Sequence, residues 1–279
     1  MKLAQKIAVN YLRAKLNIVA LVSRKKAAAM AFEIFCTPFR KSRKKKPAVF
    51  ANAEKLQLKI KGINIQGHRW NFPQDKKCLI VHGFESTSFN FDRYVNPLIR
   101  KGYEVLAFDA PAHGRSDGKQ ITLPLYVATI QKINDKLGPI HSYMAHSFGG
   151  LALTHFLETM PTEEVKLVLI APATETTTAI DSFFKYLHLD KEIRQYFDAL
   201  IVKKGGRQPS EYSIRRAMEH IHAKVLWVHD EDDEMTPLSD ALKIKADNHK
   251  NIEFMITKGY GHRRIYRENS VVKRILEFL

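Results

Sequence analysis

Apolar residues recur along this chain in two rhythms. Apolar runs at 78–81, 103–108, 140–145, 165–170, 224–229 and 252–257 suit strands buried on both faces. Between them, apolar residues three or four apart predict helices near 92–101, 124–137, 148–160, 237–248 and 265–279. Strand alternating with helix implies an α/β fold: a mostly parallel sheet with helices on both faces. Residues 56–60 and 63–66, joined by Lys61-Gly62, read as an antiparallel hairpin at the sheet edge. A chain of 279 residues is long enough for one such core, so residues 51–279 are expected to form a single α/β domain.

Two segments do not fit the alternation. Residues 175–222 separate two expected strands and are far longer than one crossover helix needs. Their aromatic residues, among them Phe183, Phe184, Tyr196 and Phe197, lie in helix-like stretches. Residues 1–50 form a helical arm. In it Leu3, Ile7, Tyr11, Ala14, Ile18 and Leu21 fall on one helix face, and a second helical stretch stops at Pro38.

Charge is distributed unevenly. Residues 1–47 hold thirteen Lys and Arg against one acid, Glu33, and so carry +12 of the formal +16. Residues 40–46 form a dense cationic run. Basic residues beside an apolar stripe suit an anionic membrane surface, with residues 1–46 as the attachment and the domain in the cytoplasm on the membrane's inner face. The competing expectation has the same helices packed on protein with their lysines solvated. Nucleic acid is disfavoured because the basic run lacks interleaved aromatics and no matching fold module is visible. The longest apolar run of the arm, residues 16–22, is much shorter than the roughly twenty residues of a span.

Candidate chemistry centres on Ala145-His146-Ser147-Phe148-Gly149-Gly150, between an expected strand and an expected helix. A serine on such a sharp turn is presented clear of the backbone, provided that the residues two before and two after it are small. A serine hydroxyl needs a base to take its proton, and the base needs a third group to orient it. Downstream, the strand at 224–229 runs into Asp230-Glu231-Asp232-Asp233-Glu234, and the strand at 252–257 into Gly259-Tyr260-Gly261-His262. An acid and a histidine therefore follow the carboxyl ends of strands, where ligands bind in open parallel sheets.

In these features the chain resembles the α/β-hydrolase fold superfamily over about residues 56–279, with Ala145 where the family's first elbow glycine stands. Leu79-Ile80-Val81-His82-Gly83-Phe84 looks like the family's strand and oxyanion loop. Phe108-Asp109-Ala110-Pro111-Ala112-His113-Gly114-Arg115-Ser116 looks like the turn after the next strand. The resemblance implies a Ser147–Asp233–His262 triad, the Asp-x-x-x-Pro spacing to Pro237 selecting Asp233 and leaving Asp230 and Asp232 as turn residues. It implies an oxyanion hole from the backbone amides of Phe84 and Phe148, and a lid at 175–222, of which Phe183 and Phe184 would line an apolar acyl pocket. The implied activity is hydrolysis of a carboxylic ester or thioester through an acyl-enzyme. Haloperoxidase-like or carbon–carbon bond hydrolysis and a non-catalytic lipid-binding scaffold are the alternatives, because fold does not fix function. Dehalogenase and epoxide-hydrolase chemistry is disfavoured, since those branches place an aspartate where Ser147 stands. Glu85, directly after the oxyanion residue, reads either as a surface residue or as a charge that disfavours anionic substrates near the carbonyl. No cofactor or metal is expected: the chain lacks phosphate-binding glycine loops and spaced ligand pairs, and its two cysteines, Cys36 and Cys78, are too few for a disulfide framework.

Overall fold

The structure of the chain is a computed structural model that describes residues 3–39 and 44–279, with side chains from Ile7 onward. The Leu3 side chain and residues 40–43 of the cationic run lie outside the described residues.

The elements in chain order are α1 (Leu3–Val22), α2 (Arg24–Cys36), β1 (Glu54–Ile60), β2 (Ile63–Trp70), β3 (Lys77–Val81), α3 (Asp92–Arg100), β4 (Glu104–Phe108), α4 (Leu123–Leu137), β5 (Ser142–His146), α5 (Phe148–Leu157) and β6 (Lys166–Ile170). They continue with α6 (Thr176–Leu187), α7 (Lys191–Gly205), the single turn α8 (Ile214–Ala217), β7 (Lys224–Asp230), α9 (Leu238–Ala246), β8 (Ile252–Thr257), the single turn α10 (Gly261–Arg264) and α11 (Asn269–Phe278).

The chain divides into two compact units, residues 38–174 with 214–279, and residues 1–37 with 175–213. The first carries all eight strands in the order β1-β2-β4-β3-β5-β6-β7-β8. The β1–β2 and β2–β4 pairs are antiparallel and every other pair is parallel. Successive side chains on a strand point to opposite faces, and here both faces are apolar. Leu79, Val81, Leu106 and Phe108 pack with residues of α4, α5 and α9, while Cys78, Ile80, Val105 and Ala107 pack with residues of α3 and α11. The helix predicted over 265–279 is divided into a 3-10 turn (Ile265–Arg267) and α11. Just before the break, the Tyr266 and Arg267 carbonyls accept hydrogen bonds from the Tyr94 hydroxyl and the Arg93 guanidinium instead of continuing a helical ladder.

The second unit is helical, and its composition corrects the predicted division at residues 50, 175 and 222. The arm contributes only residues 1–37, the insertion only 175–213, and the two share one core. Leu16, Ala20, Ala27, Ala28, Ala31 and Phe32 are buried together with Ile180, Phe184, Leu187, Ile193 and Phe197. Alanines on α2 let the backbones approach, and the aromatic rings close the gap: Phe32 and Phe35 stand 5.7 and 5.6 Å from Phe197. Ser23 caps α2 by accepting from the Lys26 amide, and Asp190 caps α7 by accepting from the Ile193 amide. Arg13 of α1 donates to the Tyr186 carbonyl at the end of α6.

Candidate active site

Ser147 sits between β5 and α5 with φ +56° and ψ −128°, a left-handed conformation that a side-chain-bearing residue adopts only under strain. Close packing holds it there. A methyl group on Gly149 would lie 2.5 Å from the His82 carbonyl oxygen, so that position admits no side chain. The Ser147 amide donates to the Ile170 carbonyl, and its carbonyl accepts from the Ala173 amide. The elbow is thereby pinned to the end of β6.

The Ser147 hydroxyl lies 2.9 Å from Nε2 of His262, and Nδ1 of that ring lies 2.8 Å from Oδ2 of Asp233. All three side chains are recessed, with 5–8 % of their surface exposed. A carboxylate only accepts, so Nδ1 carries the proton and Nε2 presents its lone pair to the serine hydroxyl. Asp233 is held from both sides. Its Oδ1 accepts the Met235 and Thr236 amides, and its Oδ2 accepts the Thr236 hydroxyl as well as His262. Burial raises its carboxyl pKa, but the hydrogen bonds from His262 and Thr236 outweigh it and bring the value down to about 2. Such a chain lets a proton pass from oxygen to Nε2 as the oxygen attacks an electrophile.

The histidine is positioned by groups that the sequence did not single out. Asp230, fully buried, accepts the amides of Tyr260 and Gly261 and the hydroxyl of Thr257, together with the Asp232 amide. It does more than close the turn to which the sequence assigns it. It clamps the loop that delivers His262. Asp232 is exposed and accepts the Gly259 amide from the same loop. On the other side, Nε2 of His146 donates to the His262 carbonyl at 3.0 Å. Burial and the neighbouring His262 push the His146 pKa down to about 3, so its ring is neutral.

The loop after β3 lies against the serine: a methyl on Gly83 would stand 2.7 Å from Ser147 Cβ. Among the described residues, neither the Phe84 nor the Phe148 amide makes a hydrogen bond within the protein. The next amide, that of Glu85, donates to Nε2 of His113 at 3.0 Å, while Nδ1 of His113 donates to the Pro111 carbonyl. Glu85 has φ +53°, and its carboxylate accepts the Phe39 amide. Asp109 braces the far end of the loop, accepting the Thr87 and Ser88 hydroxyls and the Ser88 and Arg115 amides. The turn after β4 thus shapes the loop after β3. The half-buried Phe84 and Phe148 rings meet edge to face at 6.3 Å.

Phe183 and Phe184 belong to the helical unit. Their ring contacts run to Phe35 and Phe197, and Phe184 is buried in the core of the helical unit. Both rings contribute to the packing of the helical unit.

A sequence profile of the family described as serine aminopeptidase, S33, matches residues 73–210. A human serine hydrolase-like protein is 28 % identical over 120 residues, covering 41 % of this chain and 59 % of the relative. The chain spans about half the length of the curated relatives it matches. Among solved structures, an esterase of Pyrococcus furiosus superposes with a TM-score of 0.63 at 20 % identity, covering 88 % of this chain and 97 % of that one. A thioesterase domain from the curacin biosynthetic pathway superposes with a TM-score of 0.59 at 17 % identity, covering 81 % of this chain and 98 % of that one. With this sheet order, a strained serine between β5 and α5, an acid after β7 and a histidine after β8, the chain has the α/β-hydrolase fold and is similar to serine hydrolases that share it.

Proposed function

We propose that the protein is a serine hydrolase that cleaves a carboxylic ester or thioester. The observation that carries this reading is the continuous hydrogen-bonded chain from Ser147 through His262 to Asp233. In the reaction, Ser147 Oγ attacks the acyl carbon while Nε2 of His262 takes its proton. The tetrahedral oxyanion accepts the unpaired amides of Phe84 and Phe148, preorganised donors that stabilise charge only as it develops. As the acyl–oxygen or acyl–sulfur bond breaks, the imidazolium returns the proton to the leaving alcohol or thiol. Water, deprotonated by the same nitrogen, then releases the acid and regenerates the serine. Asp233 holds the tautomer throughout and stabilises the imidazolium.

An apolar acyl group is favoured by the two half-buried phenyl rings next to the nucleophile, those of Phe84 and Phe148. The names carried by similar folds, an esterase and a thioesterase domain, agree with this reaction class. A non-catalytic lipid-binding role would not require an imidazole locked between a hydroxyl and a buried carboxylate. The test is labelling by a fluorophosphonate probe, run beside hydrolysis of p-nitrophenyl esters and acyl-CoA thioesters of graded chain length. Labelling and turnover that both vanish in Ser147→Ala are expected. A folded protein that neither labels nor turns over any ester or thioester would overturn the proposal.

A further inference from the structure

α1 is apolar on two opposite faces. One face, with Val9, Leu16, Val19 and Ala20, packs into the core of the helical unit. The other carries Ile7, Tyr11, Ile18, Leu21 and Val22, exposed by 62, 64, 65, 85 and 82 %. At 100° per residue these five side chains, with Ala14, fall along one strip of the helix. A helix in water normally turns a polar face outward; one whose outer face is apolar has a further apolar neighbour to meet.

Charge decides what that neighbour is. Residues 1–32 contain seven Lys and Arg and no acid. Lys15 is exposed beside the strip, and Lys25 and Lys26 are exposed just past its end. A second copy of this chain would bring two cationic surfaces together. An anionic lipid surface instead accepts the apolar side chains between its acyl chains and meets the lysines with its phosphates. Tyr11 has the ring and hydroxyl suited to that boundary. Among the described residues no helix is long and apolar enough to cross a membrane. We infer that α1 lies in the plane of an anionic membrane surface, its Ile7–Val22 strip immersed and Lys15, Lys25 and Lys26 at headgroup level.

The attachment inferred is α1 rather than the cationic run that the sequence emphasises; of that run, Lys44 is engaged with the Phe89 carbonyl and with Asp92, while Lys45 and Lys46 are exposed. The inference does not depend on what the enzyme hydrolyses.

The experiment is co-sedimentation of the full chain with vesicles of phosphatidylcholine alone, or with about one third phosphatidylglycerol, as salt is raised from about 50 to about 500 mM. Binding is expected with the anionic vesicles and is expected to weaken with salt. Ile18→Gln with Leu21→Gln removes apolar surface without altering charge. It should lower partitioning by about tenfold or more while leaving the melting temperature unchanged, because both positions are exposed. Lys15→Gln, Lys25→Gln and Lys26→Gln together should lower it by about a hundredfold and flatten the salt dependence. Three results would overturn the inference: no association at low salt, association indifferent to the Ile18 and Leu21 changes, or a solution dimer that those changes dissociate.

Discussion

His113 accepts the backbone amide of Glu85 through Nε2 at 3.0 Å, across the gap between the loops after β4 and β3. With that amide occupied, the preceding amide, on Phe84, is left without an acceptor within the described residues, as the proposed oxyanion role requires. A buried donor left without its acceptor costs about 1–3 kcal/mol, and a loop relieved of that restraint loses its preorganisation. His113→Ala is therefore expected to lower kcat by about ten- to a hundredfold with little change in KM. Steady-state ester hydrolysis beside a thermal melt checks this; an equal loss in kcat and in fraction folded would assign His113 to stability alone.

Ser147 stores backbone strain that glycine does not feel. Strain of this kind amounts to about 1–3 kcal/mol. Ser147→Gly is expected to be inert toward fluorophosphonate yet to melt at or above the wild-type temperature. Ser147→Ala, which keeps the strain and loses the hydroxyl, is expected to melt no higher than wild type. Calorimetry of the three proteins separates the outcomes.

Asp230 and Asp232 should differ sharply. Asp230→Asn puts an amide group where four donors converge, so one or more of them loses its acceptor. Hydrogen bonds to charged groups contribute about 1.5–3 kcal/mol each. A clear drop in melting temperature is expected, with turnover down about tenfold or more as the His262 loop loosens. Asp232→Asn, exposed and holding one amide of that loop, should stay within about a factor of three of wild type. Equal effects would mean that the Asp230 clamp does not govern His262.

Acyl-chain preference should follow the rings beside the nucleophile. Phe84→Ala or Phe148→Ala is expected to change the ratio of medium- to short-chain turnover, each methylene in an apolar pocket being worth about 1–3 kcal/mol. Phe184→Ala should instead destabilise the protein, by about 3–5 kcal/mol for a buried phenylalanine. Chain-length profiles and denaturant titrations of the three variants test the division.

Acid should unfold the protein in two stages. Burial holds the imidazoles of His82, His146 and His229 below the usual histidine value, that of His146 at about 3. Below about pH 6.5 the unfolded chain binds protons at these sites and the folded one does not, so stability falls with pH from there. Asp233 then acts in the opposite sense of charge. Its folded value of about 2 lies below the ordinary 3.8, so its contribution is complete above about pH 4 and is lost as pH falls toward 2. Urea midpoints measured from pH 8 to pH 3 should decline below 6.5, and His146→Gln should flatten the upper part of that slope.

Much of this was legible in the sequence, for identifiable reasons. Strands covered on both faces must be largely apolar, so β3, β4, β6 and β7 stand out as runs. An elbow that brings Gly149 against the His82 carbonyl must be small there, so the serine is marked by its neighbours. His146, His113 and Asp230 were not legible as positioning groups, because each acts on a backbone atom of a loop distant in sequence. The stripe that periodicity picks out on α1 is the face left exposed, while the packed stripe, with Val9, Leu16 and Ala20, lies opposite it. Periodicity records that a helix has an apolar face, not what covers it.

The helical unit is made of two stretches separated by most of the sheet, and this sets an order of events at the ribosome. α1 and α2 leave the tunnel ahead of the sheet, yet the residues that cover them, Ile180 to Phe197, are translated more than a hundred residues later. At ordinary synthesis rates that interval is on the order of ten seconds, long compared with helix formation. Throughout it the nascent chain presents a basic helical pair with both apolar faces of α1 uncovered. Completion of the fold thus waits on β3 to β6, and a chain begun at residue 38 would instead leave Ile180, Phe184 and Phe197 open to water.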